Sequence, residues 1–145
     1  MRSAAAAILL TAGLMLAAAC AQLRPGQNIT TLDGTAWRLV KFQGGDDTVL
    51  VPDDRAKYTI AFGADGRVAV RFDCNRGSGG WTSPGPNQLQ FGPMAITRAM
   101  CPPGSLHDPM VKHWFYARSY VIREGHLYLS LMADGGIYEF EPLPR

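Results

Sequence analysis

Apolar and polar positions alternate with a period of two through much of the chain. The runs are Trp37 and Leu39; Tyr58, Ile60 and Phe62; Val68, Val70 and Phe72; Leu89 and Phe91; Leu127, Leu129 and Leu131; Tyr138 and Phe140. Successive side chains of a strand point to opposite faces, so each run predicts a strand with one face buried. Between the runs, Asp65-Gly66, Glu124-Gly125 and Asp134-Gly135 supply a glycine that tolerates the positive φ of hairpin turns. Antiparallel pairing follows. The period changes between Leu106 and Ala117, where Met110, Trp114 and Ala117 fall at i, i+4 and i+7 with Val111 and Phe115 beside them. Asp108 as N-cap and Pro109 at the first helical position predict a helix of about three turns. His107 and His113 then point to different helical faces and are expected in solvent. The expected fold class is α+β, mainly β: a small antiparallel, barrel-like sheet with one packed α-helix.

The N-terminus carries a different pattern. After Arg2, residues 4–19 form an uncharged apolar run closed by small side chains before Cys20. It is shorter than the ~20 residues that span a bilayer, and reads as an export leader. Leu16-Ala17-Ala18-Ala19-Cys20 resembles a bacterial lipobox, with Ala17 where that pattern prefers Leu. Acyl chains on Cys20, at ~0.8 kcal/mol per buried CH₂, would make a permanent membrane anchor. The rival reading is a plain secretory leader. The polar stretch that follows, with Pro25 and Gly26, suits a tether. The expected organisation is a signal peptide at 1–19, a lipidated N-terminus and tether at 20–31, and one domain at 32–142. The expected location is the bacterial cell envelope, as a periplasm-facing lipoprotein of the outer membrane.

Charge narrows the partners. With 14 Lys and Arg against 12 Asp and Glu the formal charge is +2, and it falls to +1 without Arg2, too near neutral for a nucleic-acid binder. Of the three cysteines, lipidation of Cys20 leaves Cys74 and Cys101 as an even pair in an oxidising compartment, which points to a disulfide. Two rivals stand beside it: a reactive Cys-His pair, and a zinc site using both cysteines with some of His107, His113 and His126. No CxxC or HxxxH spacing supports a metal, and neither metal nor cofactor is expected. Asn75 tolerates left-handed φ and can bond nearby backbone, while Gly77, Gly79 and Gly80 are expected to turn the chain sharply after the Val68–Phe72 strand. A phosphate cradle at Gly77-Ser78-Gly79-Gly80 would need a Lys-Ser/Thr and a helix start, but Trp81-Thr82-Ser83-Pro84 follows. Arg98, beside Thr97, reads either as a ligand-facing cation or as a solvated surface charge. No GxSxG, HExxH or paired-carboxylate spacing appears.

Four segments taken together carry a family resemblance: Leu32-Asp33-Gly34-Thr35-Ala36-Trp37-Arg38-Leu39, Phe62-Gly63-Ala64-Asp65-Gly66-Arg67, Cys74-Asn75-Arg76-Gly77-Ser78-Gly79 and Thr97-Arg98-Ala99-Met100-Cys101. The combination resembles the META domain family, to which the heat-shock lipoprotein HslJ belongs. The resemblance implies a small antiparallel β structure with one helix, exposed in the envelope, without established enzymatic activity and associated with heat shock, envelope stress and drug tolerance. Two function classes result: a non-catalytic, lipid-anchored domain binding a protein partner or damaged polypeptide, and a binder of a small hydrophobic ligand held between sheet and helix. An enzyme would have to rest on Cys74 or Cys101 with a nearby His. A cavity of some hundreds of Å³ under the helix would favour the ligand, and an exposed apolar patch the partner.

Overall fold

Among the residues that the computed structural model describes, 31–144, the alternating runs become nine strands of a single antiparallel sheet. The leader, Cys20 and the tether up to residue 30 lie outside them. In chain order the elements are β1 (Thr35–Gln43), β2 (Val49–Leu50), β3 (Tyr58–Phe62), β4 (Arg67–Phe72), β5 (Asn75–Thr82), β6 (Gln90–Ile96), α1 (His107–His113), β7 (Ala117–Arg123), β8 (His126–Leu131) and β9 (Ile137–Pro142). Their spatial order is β6-β5-β4-β3-β1-β9-β8-β7, with β2 on β1. The sheet is thus two meanders joined where the last strand returns to the first. Asn87 to Leu89 meet β7 through the Gln88–Ser119 bridge and the Leu89 N–H bond to the Arg118 carbonyl, which curls the sheet into a half-barrel.

Pairing register places Trp37, Ile60, Val70, Phe140 and Leu127 on the concave face, where they are buried as the alternation requires. A bulge between Leu39 and Lys41 shifts the phase of β1, so Phe42 rather than Lys41 joins the core. The Gly66 and Glu124-Gly125 turns have the expected positive φ. At the third turn the positive-φ residues are Ala133, Asp134 and Gly136 instead of Gly135. A Cβ on Gly136 would collide with the Gln43 carbonyl, so the glycine permits β1 and the β8–β9 turn to meet.

Several expectations need correction. The helix is shorter than about three turns: α1 ends at His113, one 3-10 turn (Trp114–Tyr116) follows, and Ala117 already begins β7. Its N-cap is Leu106, not Asp108, and the Leu106 N–H is held by the Tyr58 hydroxyl at 3.0 Å. Gly77, Gly79 and Gly80 do not turn the chain; they lie inside β5, and the turn is made before β5 begins, at Asp73, with φ 58°. Asn75 is a strand residue, and the left-handed position is Asp73. Nor are His107 and His113 simply solvated: the His107 side chain is 13% exposed, and His113 packs on Phe42 with its Nδ1 2.8 Å from the Tyr138 hydroxyl. Met110 and Trp114 are buried as the apolar stripe demands, but Phe115 faces solvent.

Candidate functional site

Of the sequence-derived site residues, the fold gathers Cys74, Asn75, Thr97, Arg98 and Cys101 at one end of the half-barrel. Cys74 and Cys101 are joined as a disulfide with their Cα atoms 5.5 Å apart, so neither sulfur is a free thiol or a zinc ligand. Asn75, fully buried at the start of β5, is the centre of the cluster. Its Oδ1 accepts from Thr97 Oγ1 at 2.9 Å and the Ala99 N–H at 2.7 Å; its Nδ2 donates to the Ala99 carbonyl at 2.9 Å. The same Nδ2 lies 3.2 Å from Cys101 Sγ and 3.4 Å from His107 Nδ1. Thr97 Oγ1 in turn accepts from the Arg76 N–H. A buried amide costs free energy unless its groups are paired, and here both ends are used to fix residues 97–101 beside the disulfide. Gly79 stands apart from this cluster: a Cβ there would lie 2.7 Å from the Pro93 carbonyl, so the position serves the close approach of β5 and β6. Cys20 lies outside the described residues.

Beside the cluster runs an open cleft of about 570 Å³, between the end of β6 at Ile96 and Arg98 on one side and His107, Asp108 and Val111 of α1 on the other. Met100, 98% exposed, stands on its rim. The interior under the helix is different. Trp114 stacks on Phe91 with centroids 3.9 Å apart, meets Phe72 edge-on and donates its indole N–H to the Gly92 carbonyl. Between helix and sheet only a cavity of about 20 Å³ remains, room for one water. Burial pulls the His113 basicity down, with the nearby Lys112 charge acting in the same direction, and pushes the Tyr138 phenol up. The pair therefore sits neutral in the core wall. Among the described residues no group of three or more His, Cys, Asp or Glu is placed to hold a metal.

His107, which the sequence offers only as a rival zinc ligand or a solvated side chain, lies beside this cluster, with its Nδ1 3.4 Å from Asn75 Nδ2.

Comparison with known proteins agrees with the arrangement. The family model described as "META domain" matches residues 30–142, and the chain belongs to the META domain family. The match names the domain and does not extend to the particular heat-shock lipoprotein. No curated protein matches the chain. Among solved structures it is similar to a protein from Burkholderia xenovorans determined by NMR, at 22% identity and TM-score 0.66, over 79% of this chain and 85% of that one. It is also similar to a DUF4847 family protein from Bacteroides vulgatus, at 16% identity and TM-score 0.56, over 76% of this chain and 93% of that one. At such identities these likenesses concern the fold alone.

Proposed function

We propose that the chain is a lipid-anchored, non-catalytic domain of the bacterial envelope that binds a protein partner or a stress-damaged polypeptide on its outer surface. The observation that carries this reading is the filled interior: about 20 Å³ between helix and sheet holds no hydrophobic ligand, so recognition falls to the surface. Phe115, Tyr116 and Met132 are all exposed, and the Met132 N–H bonds the Tyr116 carbonyl, so apolar side chains are grouped there. The enzyme reading needed a free cysteine beside a histidine; with Cys74 and Cys101 bonded to each other that chemistry has no nucleophile. Anchoring rests on Cys20 and its lipobox-like context. Roles in heat shock, envelope stress and drug tolerance follow from the family resemblance.

Two measurements test the reading. Cys20→Ser should release a folded domain from the membrane fraction, since residues 32–142 bury their core without the lipid; a Ser variant that still sediments with membranes rules out the anchor. Crosslinking in intact envelopes, followed by mass spectrometry, should give a discrete protein adduct through the exposed surface. Recovery of a stoichiometric small hydrophobic molecule instead would transfer the function to ligand binding.

A further inference from the structure

The Cys74–Cys101 bridge fastens a surface segment to the end of the sheet rather than one core element to another. Cys74 stands between β4 and β5, directly after the turn residue Asp73, and Cys101 lies in the segment that joins β6 to α1. That segment is pinned at both ends by other means. Asn75 holds Thr97 and Ala99 through its amide, and the Tyr58 hydroxyl holds the Leu106 N–H. Between these pins, residues 100–105 contribute nothing to the core cluster. Among the described residues their hydrogen bonds are local, from the Ser105 N–H to the Pro102 carbonyl and from the His107 N–H to Ser105 Oγ, apart from the Asn75 amide beside Cys101 Sγ. The disulfide is therefore the main tie of this stretch to the sheet. The same stretch supplies half of the residues lining the open cleft.

Access and local chemistry agree. Cys101 lines the cleft and Cys74 does not, so a group entering the cleft meets the bridge from the Cys101 side. Asn75 cannot turn its amide around, because its Oδ1 already accepts from Thr97 Oγ1 and the Ala99 N–H. Its Nδ2 stays against both sulfurs, 3.5 Å from Cys74 Sγ and 3.2 Å from Cys101 Sγ. An N–H donor facing a sulfur stabilises it as a thiolate, the form in which a cysteine leaves an exchanged disulfide.

We infer that the bridge is a thiol–disulfide exchange site for a dithiol entering through the cleft, and that its redox state sets the position of the cleft wall. A thiolate of the dithiol attacks Cys101 Sγ, and the electron pair of the broken S–S bond leaves with Cys74 as a thiolate beside Asn75 Nδ2. A mixed disulfide on Cys101 results. The second thiol of the dithiol gives up its proton, attacks the dithiol's own sulfur in that mixed disulfide and releases Cys101 as a thiolate. Two protons pass from the dithiol to the two cysteines, the dithiol departs oxidised to a disulfide, and the protein has gained two electrons. Reduction unties residues 100–105 and leaves both pins and the core in place. None of this depends on which partner the outer surface binds.

The test uses the full chain in its oxidised form, without denaturant, and dithiothreitol as the probe. Thiol release should rise in proportion to dithiothreitol concentration and outrun global unfolding. In the reduced protein, amide exchange should quicken at Met100, Cys101 and Gly104 while β3, β8 and β9 stay protected. Glutathione, a monothiol that cannot complete the second step, should be trapped by acid on Cys101 rather than Cys74. Met100→Lys should speed the exchange and Met100→Glu slow it, each by about twofold at low salt, because the attacking group is an anion. The unfolding midpoint should not move with either, since the Met100 side chain is 98% exposed. Reduction at the rate of unfolding, whatever the dithiothreitol concentration, would make the bridge purely structural and overturn the inference. Glutathione on Cys74, equal rates in the two Met100 variants, or loss of strand protection on reduction would overturn it as well.

Discussion

At the scale of single residues, Asn75 does more than any other polar side chain. It satisfies the Ala99 N–H and carbonyl and the Thr97 hydroxyl from a fully buried position. Asn75→Ala leaves those groups facing a void, and at about 1–3 kcal/mol for each buried group left unpaired the expected loss is about 2–4 kcal/mol in a denaturant titration. A loss under about 1 kcal/mol would mean that water replaces the amide without cost. The sequence pointed to Asn75 and Thr97 as motif residues but not to their bonding, because they lie 22 positions apart and local pattern does not report such distance. His113 reads as solvated for a related reason: its partner Tyr138 lies 25 positions on, in another element. With its folded basicity lowered from the ordinary 6.5, His113 favours the folded state fully above pH 6.5, and the contribution is lost as pH falls below that value. Urea midpoints should therefore drop between pH 7.5 and 5.5, and His113→Phe should flatten that slope; an unchanged slope would assign the acid sensitivity elsewhere.

Elements were legible where side chains announced their face. β3, β4, β8 and β9 carry large apolar residues at every second position, and the fold returns each of them. β5 reads as a turn in the sequence because Asn75 to Gly80 has no apolar side chain to alternate. Its glycines are there because β6 crowds it: a Cβ on Gly77 would come 2.8 Å from the Ala95 carbonyl. β7 was hidden by the register shift between Ala117 and Ser119, which breaks the period of its buried Ala117 and Tyr120. The helix was overdrawn because Ala117 continues the helical spacing although it already belongs to β7. Within this crossover Trp114 is the anchor, 4% exposed and stacked on Phe91. Trp114→Ala should cost about 3–5 kcal/mol by thermal or chemical unfolding, with the loss concentrated in the contact between α1 and the sheet. A cost under about 1 kcal/mol would show that the crossover packs without its indole.

The described residues share a single core, and it is tied at one end by the Cys74–Cys101 bridge across 27 positions. In the chain-entropy model closing such a loop contributes about 3.5 kcal/mol. Thiol titration of the unfolded, unreduced domain should find neither cysteine free, and replacing both with Ala should lower stability by that order while Asn75 keeps residues 97–99 in place. Rapid alkylation of Cys74 or Cys101 in the native, unreduced protein would contradict the bridge. A different consequence follows from the return of β9 to β1, seen in the Arg38–Glu141 ion pair across 103 positions. Every strand between them is emitted before the sheet can close, so sheet closure waits for β9 to emerge. Contacts of such long sequence separation slow folding. Cys74 and Cys101, by contrast, are both available long before β9 exists. Oxidation can therefore precede closure, and a chain halted before Ile137 would hold its disulfide yet have no partner for the inner edge of β1.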